Sequence, residues 1–399
     1  MEALPLDGLK VLDLTQMLAG PLAGTRLGDL GAEVIKVENP ESGEFNRTHG
    51  FQDITFQGEM TTFLAVNRNK RSLPLNLKDR QGVEILKRLA KNSDVLIHNF
   101  RPGVLERLGL GYEELSQLNP RLIYCAISGY GRFGRLASRP GQDLILQGYS
   151  GSMFAVGSEN DPPRPGALWA ADAMTGYQAV IGVLSALHAR TTSGKGSLIE
   201  VDMYGVVLDA QLQELLTFLN TGKKPTRSKS PSAHASIPAP YGVYRTADGW
   251  MTLAMSPLPA LGELLQNDWL KSLTDYNDGH LKRDEIFAEI ENAFVSQPTA
   301  YWVELGDKYG VWAGPVYDFD DLSNETHLVE SEMITTQPGV SGFVKTVGVP
   351  IRINGERPKI RKGAPALGAD TRSILKELGL DEAEIEGLIS NGVTRESAN

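Results

Sequence analysis

A chain of 399 residues with 41% hydrophobic and 22% charged residues has the balance of a globular protein, long enough for two or three domains with a core that needs neither disulfides nor metals; a disordered or fibrous chain is excluded. Its 39 basic and 49 acidic side chains leave a net charge of −10, the opposite of the basic footprint that a nucleic-acid partner requires. The single cysteine, Cys125, excludes an intrachain disulfide and a cysteine-built zinc site, and fits a reducing compartment.

In chain order, the first residues lack a charged stretch followed by an apolar one, so no secretory leader is expected. Leu9–Leu14, Glu33–Val37, Val95–Ile97, Leu122–Ile127 and Leu198–Met203 read as buried strands, and a further short strand lies between Asn67–Arg71 and Lys78. Helical spacing fills Pro21–Gly31, Arg80–Lys91 and Asp172–Arg190. The longest weakly polar run, Ala173–Leu187, is broken by Thr, Gly, Gln and Ser and is shorter than the ~20 residues of a spanning helix. No membrane partner is therefore expected, and a cytoplasmic location is. Alternation of strand and helix predicts right-handed βαβ units in an α/β fold with a doubly wound, mainly parallel, Rossmann-like sheet.

Thr221–Pro231 is polar, basic and proline-containing, and reads as a linker. Beyond it, Tyr241–Thr252 predicts a hairpin turning at Ala247–Gly249, and helical stretches to about Gly310 predict a smaller α+β domain. A second linker is placed around Val329–Val340. The tail then holds a short strand over Pro350–Ile353, a Pro/Gly-rich loop and a helix at Thr371–Leu378. The expected division is a large domain over 1–220, completed by 340–399, with a linker and small domain over 221–339.

Gly129–Gly134 matches G-x-G-x-x-G after a predicted strand. A dinucleotide site needs a helix opening at the third glycine, and Pro140–Gly141 argues against one. The six histidines, His49, His98, His188, His234, His280 and His327, form no closely spaced pair, so no metal site is expected. Nucleophile-elbow and phosphate-loop motifs are also missing. Gly166–Asp172 leads into an apolar helix, where Asp172 is either an N-cap worth about 1 kcal/mol or a carboxylate presented for nucleophilic or base chemistry. Arg and Asn at strand ends, in Asn67–Lys78 and Asn99–Arg107, suit a ligand that carries phosphates and an aromatic base.

Six segments stand in order: VLDLTQMLAGPLAG, GAEVIKVE, NRNKRSLPLNLK, NFRPGVLERLG, YCAISGYGRFG and ALWAADAMTGYQAVIGVLSAL. With them the chain, from about Leu4 to Leu380, resembles family III CoA-transferases, the group that includes formyl-CoA:oxalate and carnitine CoA-transferases. The resemblance implies that Asp172 is a nucleophile that attacks an acyl-CoA thioester, forming an aspartyl anhydride and then an aspartyl–CoA thioester before CoA passes to an acceptor carboxylic acid. It implies no tightly bound cofactor and no metal; CoA enters and leaves as part of substrate and product. Leu18, Ala19, Leu75, Lys78, Asn99, Phe100, Arg101, Arg107, Arg139 and Gln142 match CoA-binding positions. Asn39 stands where some members carry an arginine, and Arg47 and His49 match a loop that borders the acyl site.

Two departures narrow the expectation. Ser232–Gly242 replaces the glycine-rich loop of formyl-CoA:oxalate enzymes. Gln142 replaces the histidine of the related 2-methylacyl-CoA racemases, and a glutamine cannot shuttle an α-proton. Transfer is favoured over racemase-type proton exchange; a CoA-binding protein without turnover is the remaining alternative. The resemblance also implies an interlocked homodimer.

Overall fold

The computed structural model describes residues 4–339 and 341–397; Val340, the end of the second expected linker, and the first three residues lie outside them. In the first half, runs of β-branched and aliphatic residues form β1 (Lys10–Asp13), β2 (Glu33–Glu38), β3 (Lys70–Pro74), β4 (Val95–His98), β5 (Ile123–Ser128) and β6 (Leu198–Asp202). The five strands expected with explicit bounds in this part of the chain stand within one residue of them. The helices that position the site are α1 (Ala19–Asp29), α2 (Arg80–Lys91), α3 (Asp143–Ser150) and α4 (Ala170–Ser193). Local chemistry sets their ends: the Asp79 carboxylate accepts from the Gln81 N–H at the start of α2, and Gly194, at φ 68°, closes α4.

The strands form one six-stranded sheet in the order β3-β2-β1-β4-β5-β6, with every neighbouring pair parallel. Val11 faces Val34 on β2 and Val95 on β4, and Cys125 faces Ile199 on β6. Alternation sends Val11, Val34, Ile97 and Cys125 to one face, under α1 and α4. Leu12, Ile35, Leu96 and Tyr124 go to the other, under α2 and the C-terminal helices Thr371–Glu377 and Glu382–Ser390. Both faces are thus buried by helices, as a parallel sheet demands. The strand order reverses between β1 and β4, and such sheets bind ligands in the crevice outside the carboxyl ends at that point.

The chain falls into two compact units. One comprises Met1–Leu146, Trp169–Val207 and Thr326–Asn399, and the other Gln147–Leu168 and Leu208–Glu325. The second contains the expected hairpin, Gly242–Arg245 with Trp250–Leu253, extended by Ala313–Pro315 into a three-stranded antiparallel sheet. Leu261, Ile286, Phe287, Ile290, Phe294 and Trp302 form its core.

One expected element is corrected. Pro350–Ile353 is irregular, with an isolated bridge from Ile353 to Glu356. Around it, Arg357 donates to the Val349 and Ser331 carbonyls, and Arg352 to those of Gly355 and Ser331. The paired strands in this region are Ile334–Gly339 and Gly342–Val347, where the sequence reads as a linker.

Candidate active site

In a parallel sheet all carboxyl ends lie at one edge, so residues far apart in sequence gather there. Leu18 and Ala19 follow β1, Asn39 follows β2, Leu75 and Lys78 follow β3, and Asn99, Phe100 and Arg101 follow β4. Arg107 ends a short helical turn, Val104–Arg107, after the same strand. Lys78, Arg101, Arg107, Arg139 and Gln142 are exposed, whereas Leu75 is buried in the core of the sheet. Two amides are already engaged. Asn39 accepts from the Glu41 and Ser42 N–H groups, and Asn99 pairs through both of its polar atoms with the Gln16 backbone. His49 stacks on Phe45 with ring centroids 4.6 Å apart.

Asp172 lies in the first turn of α4, half-buried. The residue that flanks the helix is Trp169, which makes no side-chain cap, so Asp172 is not the N-cap. Its backbone N–H donates to Asp143 Oδ1 at 3.1 Å. Asp143 opens α3 and is 2% exposed. The placement of its approach depends on glycine: a Cβ on Gly141 would stand 2.3 Å from Gly129 Cα, and one on Gly129 2.5 Å from Gly141 Cα. The G-x-G-x-x-G run therefore serves a close backbone crossing at Gly129 and positive-φ turns at Gly131 and Gly134. No helix starts at Gly134; the next one is α3. Substituting Gly129 by Ala is expected to push the Gly141–Asp143 segment away and lower kcat by ~10²-fold, out of proportion to any fall in Tm measured alongside.

Burial, and secondly the charge of Asp143, raise the Asp172 carboxyl from its ordinary 3.8 to about 6. It is ionised at neutral pH yet more basic than a solvated aspartate, which suits a carboxylate nucleophile. For Asp172 acting as a nucleophile the ionised form would be the reactive one, so kcat/KM is expected to rise as pH passes through about 6. Asp143→Asn removes the second cause and leaves burial, so that limb moves to lower pH; a limb that stays in place in the pH–rate profile counts against the assignment.

Beside this edge lies a buried charge network that sequence reading did not identify. Asp13, Lys36 and Lys70 are fully or nearly fully buried, as are Glu38 and Glu44. Lys70 Nζ lies 2.8 Å from Asp13 Oδ2 and also donates to Asn67 Oδ1 and the Pro21 and Val66 carbonyls. Burial pushes Lys70 down to about 8. Burial works to raise Asp13 too, but Lys36 and Lys70 hold it below the usual carboxylate range. Arg47 grips Glu38 with Nε at 2.6 Å and Nη2 at 2.9 Å, and also reaches Glu59 and the Pro365 carbonyl. Its guanidinium is committed to these partners. The available signal for the network was charge inside apolar strands, in VLDL and EVIKVE; for Asp143 it was an acid opening an apolar helix directly after Pro-Gly-Gln.

Among the described residues, no group of three or more His, Cys, Asp or Glu side chains could hold a metal ion, and no helix is long and apolar enough to cross a membrane. Residues 6–371 match the family model "CoA-transferase family III". The chain is 36% identical to succinyl-CoA:glutarate CoA-transferase of Mus musculus, over 98% of this chain and 90% of that one. It is also 36% identical to acetyl-CoA:oxalate CoA-transferase of Acetobacter aceti, over 95% and 97%. A crystal structure of a CaiB/BaiF family protein from Brucella suis superimposes with a TM-score of 0.83 and 34% identity, covering 94% of this chain and all of that one.

Proposed function

The chain belongs to CoA-transferase family III and is a CoA-transferase; on that premise we propose that it moves CoA from an acyl-CoA to a carboxylic acid through Asp172. The observation that carries this reading is the half-buried Asp172 carboxyl, raised to about 6 and set beside Asp143. Asp172 Oδ attacks the thioester carbonyl carbon; the new C–O bond forms as the C–S bond breaks and CoA leaves as thiolate. The thiolate attacks the aspartyl carbonyl of the resulting anhydride, releasing the first acid as its carboxylate and leaving CoA on Asp172. The acceptor carboxylate attacks that thioester, and the thiolate, released again, takes the acceptor's acyl group and frees Asp172. No proton is gained or lost, and one thioester replaces another. The protein's contribution is to orient the carboxylate against the thioester, worth about 7–11 kcal/mol at best, and to exclude water from both intermediates.

Lys78, Arg101, Arg107 and Arg139 supply cations for the CoA phosphates at the sheet edge, in a chain whose net charge is −10. Phe100 at the end of β4 supplies an aromatic face for the adenine. Gln142, which cannot exchange an α-proton, supports transfer over racemisation. The relatives' names pair succinyl-CoA with glutarate and acetyl-CoA with oxalate, which supports a short-chain donor and a dicarboxylate acceptor here. We assign CoA binding to the unit that carries the parallel sheet, Met1–Leu146 with Trp169–Val207 and Thr326–Asn399, in place of the expected large domain of 1–220 and 340–399, and an interlocked homodimer as the working unit. Exposed Leu212, Leu216 and Leu219, at 59%, 59% and 74% along one helix, support cover by a second copy.

The test is intact-protein mass spectrometry of the enzyme mixed with succinyl-CoA or acetyl-CoA, followed by glutarate or oxalate. A hydroxylamine-sensitive gain of CoA mass at Asp172, discharged by the acceptor with formation of a new acyl-CoA, is expected. Exchange of acyl α-protons with deuterated water and no adduct would move the assignment to racemisation.

A further inference from the structure

Leu14 and Thr15 of the loop between β1 and α1 are buried, with Thr15 bonded to Asp13; beyond them the loop is held through its backbone by side chains from elsewhere in the chain. Met17 has φ 70°, a left-handed conformation that a non-glycine residue keeps only where its surroundings over-determine it. Its side chain is 41% exposed, so packing does not impose that conformation. Hydrogen bonds do: the Met17 N–H donates to Glu44 Oε2 at 2.9 Å, and its carbonyl accepts from Asn46 Nδ2 at 2.6 Å. The preceding residues are held in the same way. Gln16 N–H donates to Asn99 Oδ1 at 3.0 Å, the Gln16 carbonyl accepts from Asn99 Nδ2 at 2.8 Å, and the Thr15 carbonyl accepts from Lys36 Nζ at 2.8 Å.

What this loop delivers is the first turn of α1. A Cβ on Gly176 would meet the Ala19 carbonyl oxygen at 2.8 Å, so that turn lies against α4 one turn beyond Asp172. The segment that carries Glu44 and Asn46 also reaches the start of α4: Phe51 stacks on Trp169, directly before that helix, with ring centroids 5.8 Å apart.

We infer that Glu44 and Asn46 are positioning residues of the transfer reaction, holding Met17 in its left-handed turn so that the start of α1 stays fixed against the Asp172 helix. This rests on the role proposed for Asp172 and extends it to two residues that act through the backbone of a third. The bond to Met17 requires an acceptor oxygen at position 44, not a charge. Glu44 Oε2 also lies 4.0 Å from Lys36 Nζ, and Oε1 accepts from Asn67 Nδ2 at 3.3 Å; Glu44→Gln keeps an acceptor oxygen for Met17 while removing the charge that faces Lys36.

The experiment compares Glu44→Ala, Glu44→Gln and Asn46→Ala in the full-length enzyme. Loss of the clamp is expected to lower kcat by about 10–100-fold in Glu44→Ala and by about 10-fold in Asn46→Ala, with KM for acyl-CoA within about threefold of wild type. Glu44→Gln, which keeps the acceptor, is expected to stay within about threefold of wild type in both constants. Hydrogen exchange of the peptide containing Gln16 and Met17, read by mass spectrometry, is expected to quicken in Glu44→Ala and not in Glu44→Gln. Equal loss of kcat in Glu44→Gln and Glu44→Ala overturns the inference, because the charge would then be the active feature. Faster exchange with kcat unchanged overturns it as well, leaving a structural role. The exchange measurement is independent of turnover, so transfer retained in Asp172→Asn with a protected wild-type loop refutes the role of Asp172 and not the clamp.

Discussion

Asp172→Asn is expected to abolish CoA transfer and, at neutral pH, to stabilise the fold. On the catalytic side, an amide neither attacks the thioester nor carries CoA. The transfer rate is expected to fall by at least ~10³-fold, as for loss of any covalent nucleophile, and the hydroxylamine-sensitive adduct to disappear. On the stability side, the carboxyl is raised to about 6 in the folded chain against an ordinary 3.8. Its ionised form therefore destabilises the fold: the penalty is full above about pH 6, shrinks as pH falls from 6 through 3.8, and is gone only below that, where the group is protonated in both states. By linkage the gain on removing that charge is on the order of 1–3 kcal/mol at pH 7.5 and vanishes below about pH 3. Thermal unfolding of the two proteins across that range reads it. A variant less stable than wild type at every pH would remove the physical basis for calling this carboxylate strained.

Lys70→Met is expected to give a large loss of stability without touching the reacting atoms. Lys70 and Asp13 are both shut off from solvent and lie 2.8 Å apart. Removing the ammonium leaves the Asp13 carboxylate without its direct cation in a site that water cannot enter. Breaking one partner of such a pair costs about 3–5 kcal/mol, whereas replacing both with uncharged groups costs much less. Urea unfolding of Lys70→Met, Asp13→Asn and the double variant is expected to show the double variant well below the sum of the singles. Simple additivity, or a single-variant loss under about 1 kcal/mol, would mean that the pair is not coupled as the geometry requires.

The fold was legible where local chemistry decides it. The strand runs are continuous and apolar because both faces of a parallel sheet are buried, so LKVLDL and LIYCAI announce β1 and β5 within a residue. The failure at Pro350–Ile353 has the same cause in reverse: a short β-like tetrapeptide becomes a strand only if a partner edge is free, and here Ile353 pairs with Glu356 three residues on. Asp172 was visible as an acid opening an apolar helix. Composition and spacing left the choice between cap and nucleophile open, because both readings predict the same letters.

Sequence by itself, then, determined the α/β class, the alternation that builds a parallel sheet, the family likeness and the nucleophile candidate. These rest on periodicity, turn chemistry and motif order, all of which are properties of neighbouring residues. Only the tertiary structure decided which charges meet. Asp13 and Lys70 lie 57 positions apart and Asp143 and Asp172 lie 29 apart, and no local pattern predicts such pairs. It also decided that Asn99 holds the Gln16 backbone, that Arg47 is consumed by Glu38 and Glu59, and that Gly129 and Gly141 are small because two backbones cross there. Burial and charge proximity set the reactivity of a carboxylate, and both arise only when distant segments are brought to one edge of the sheet.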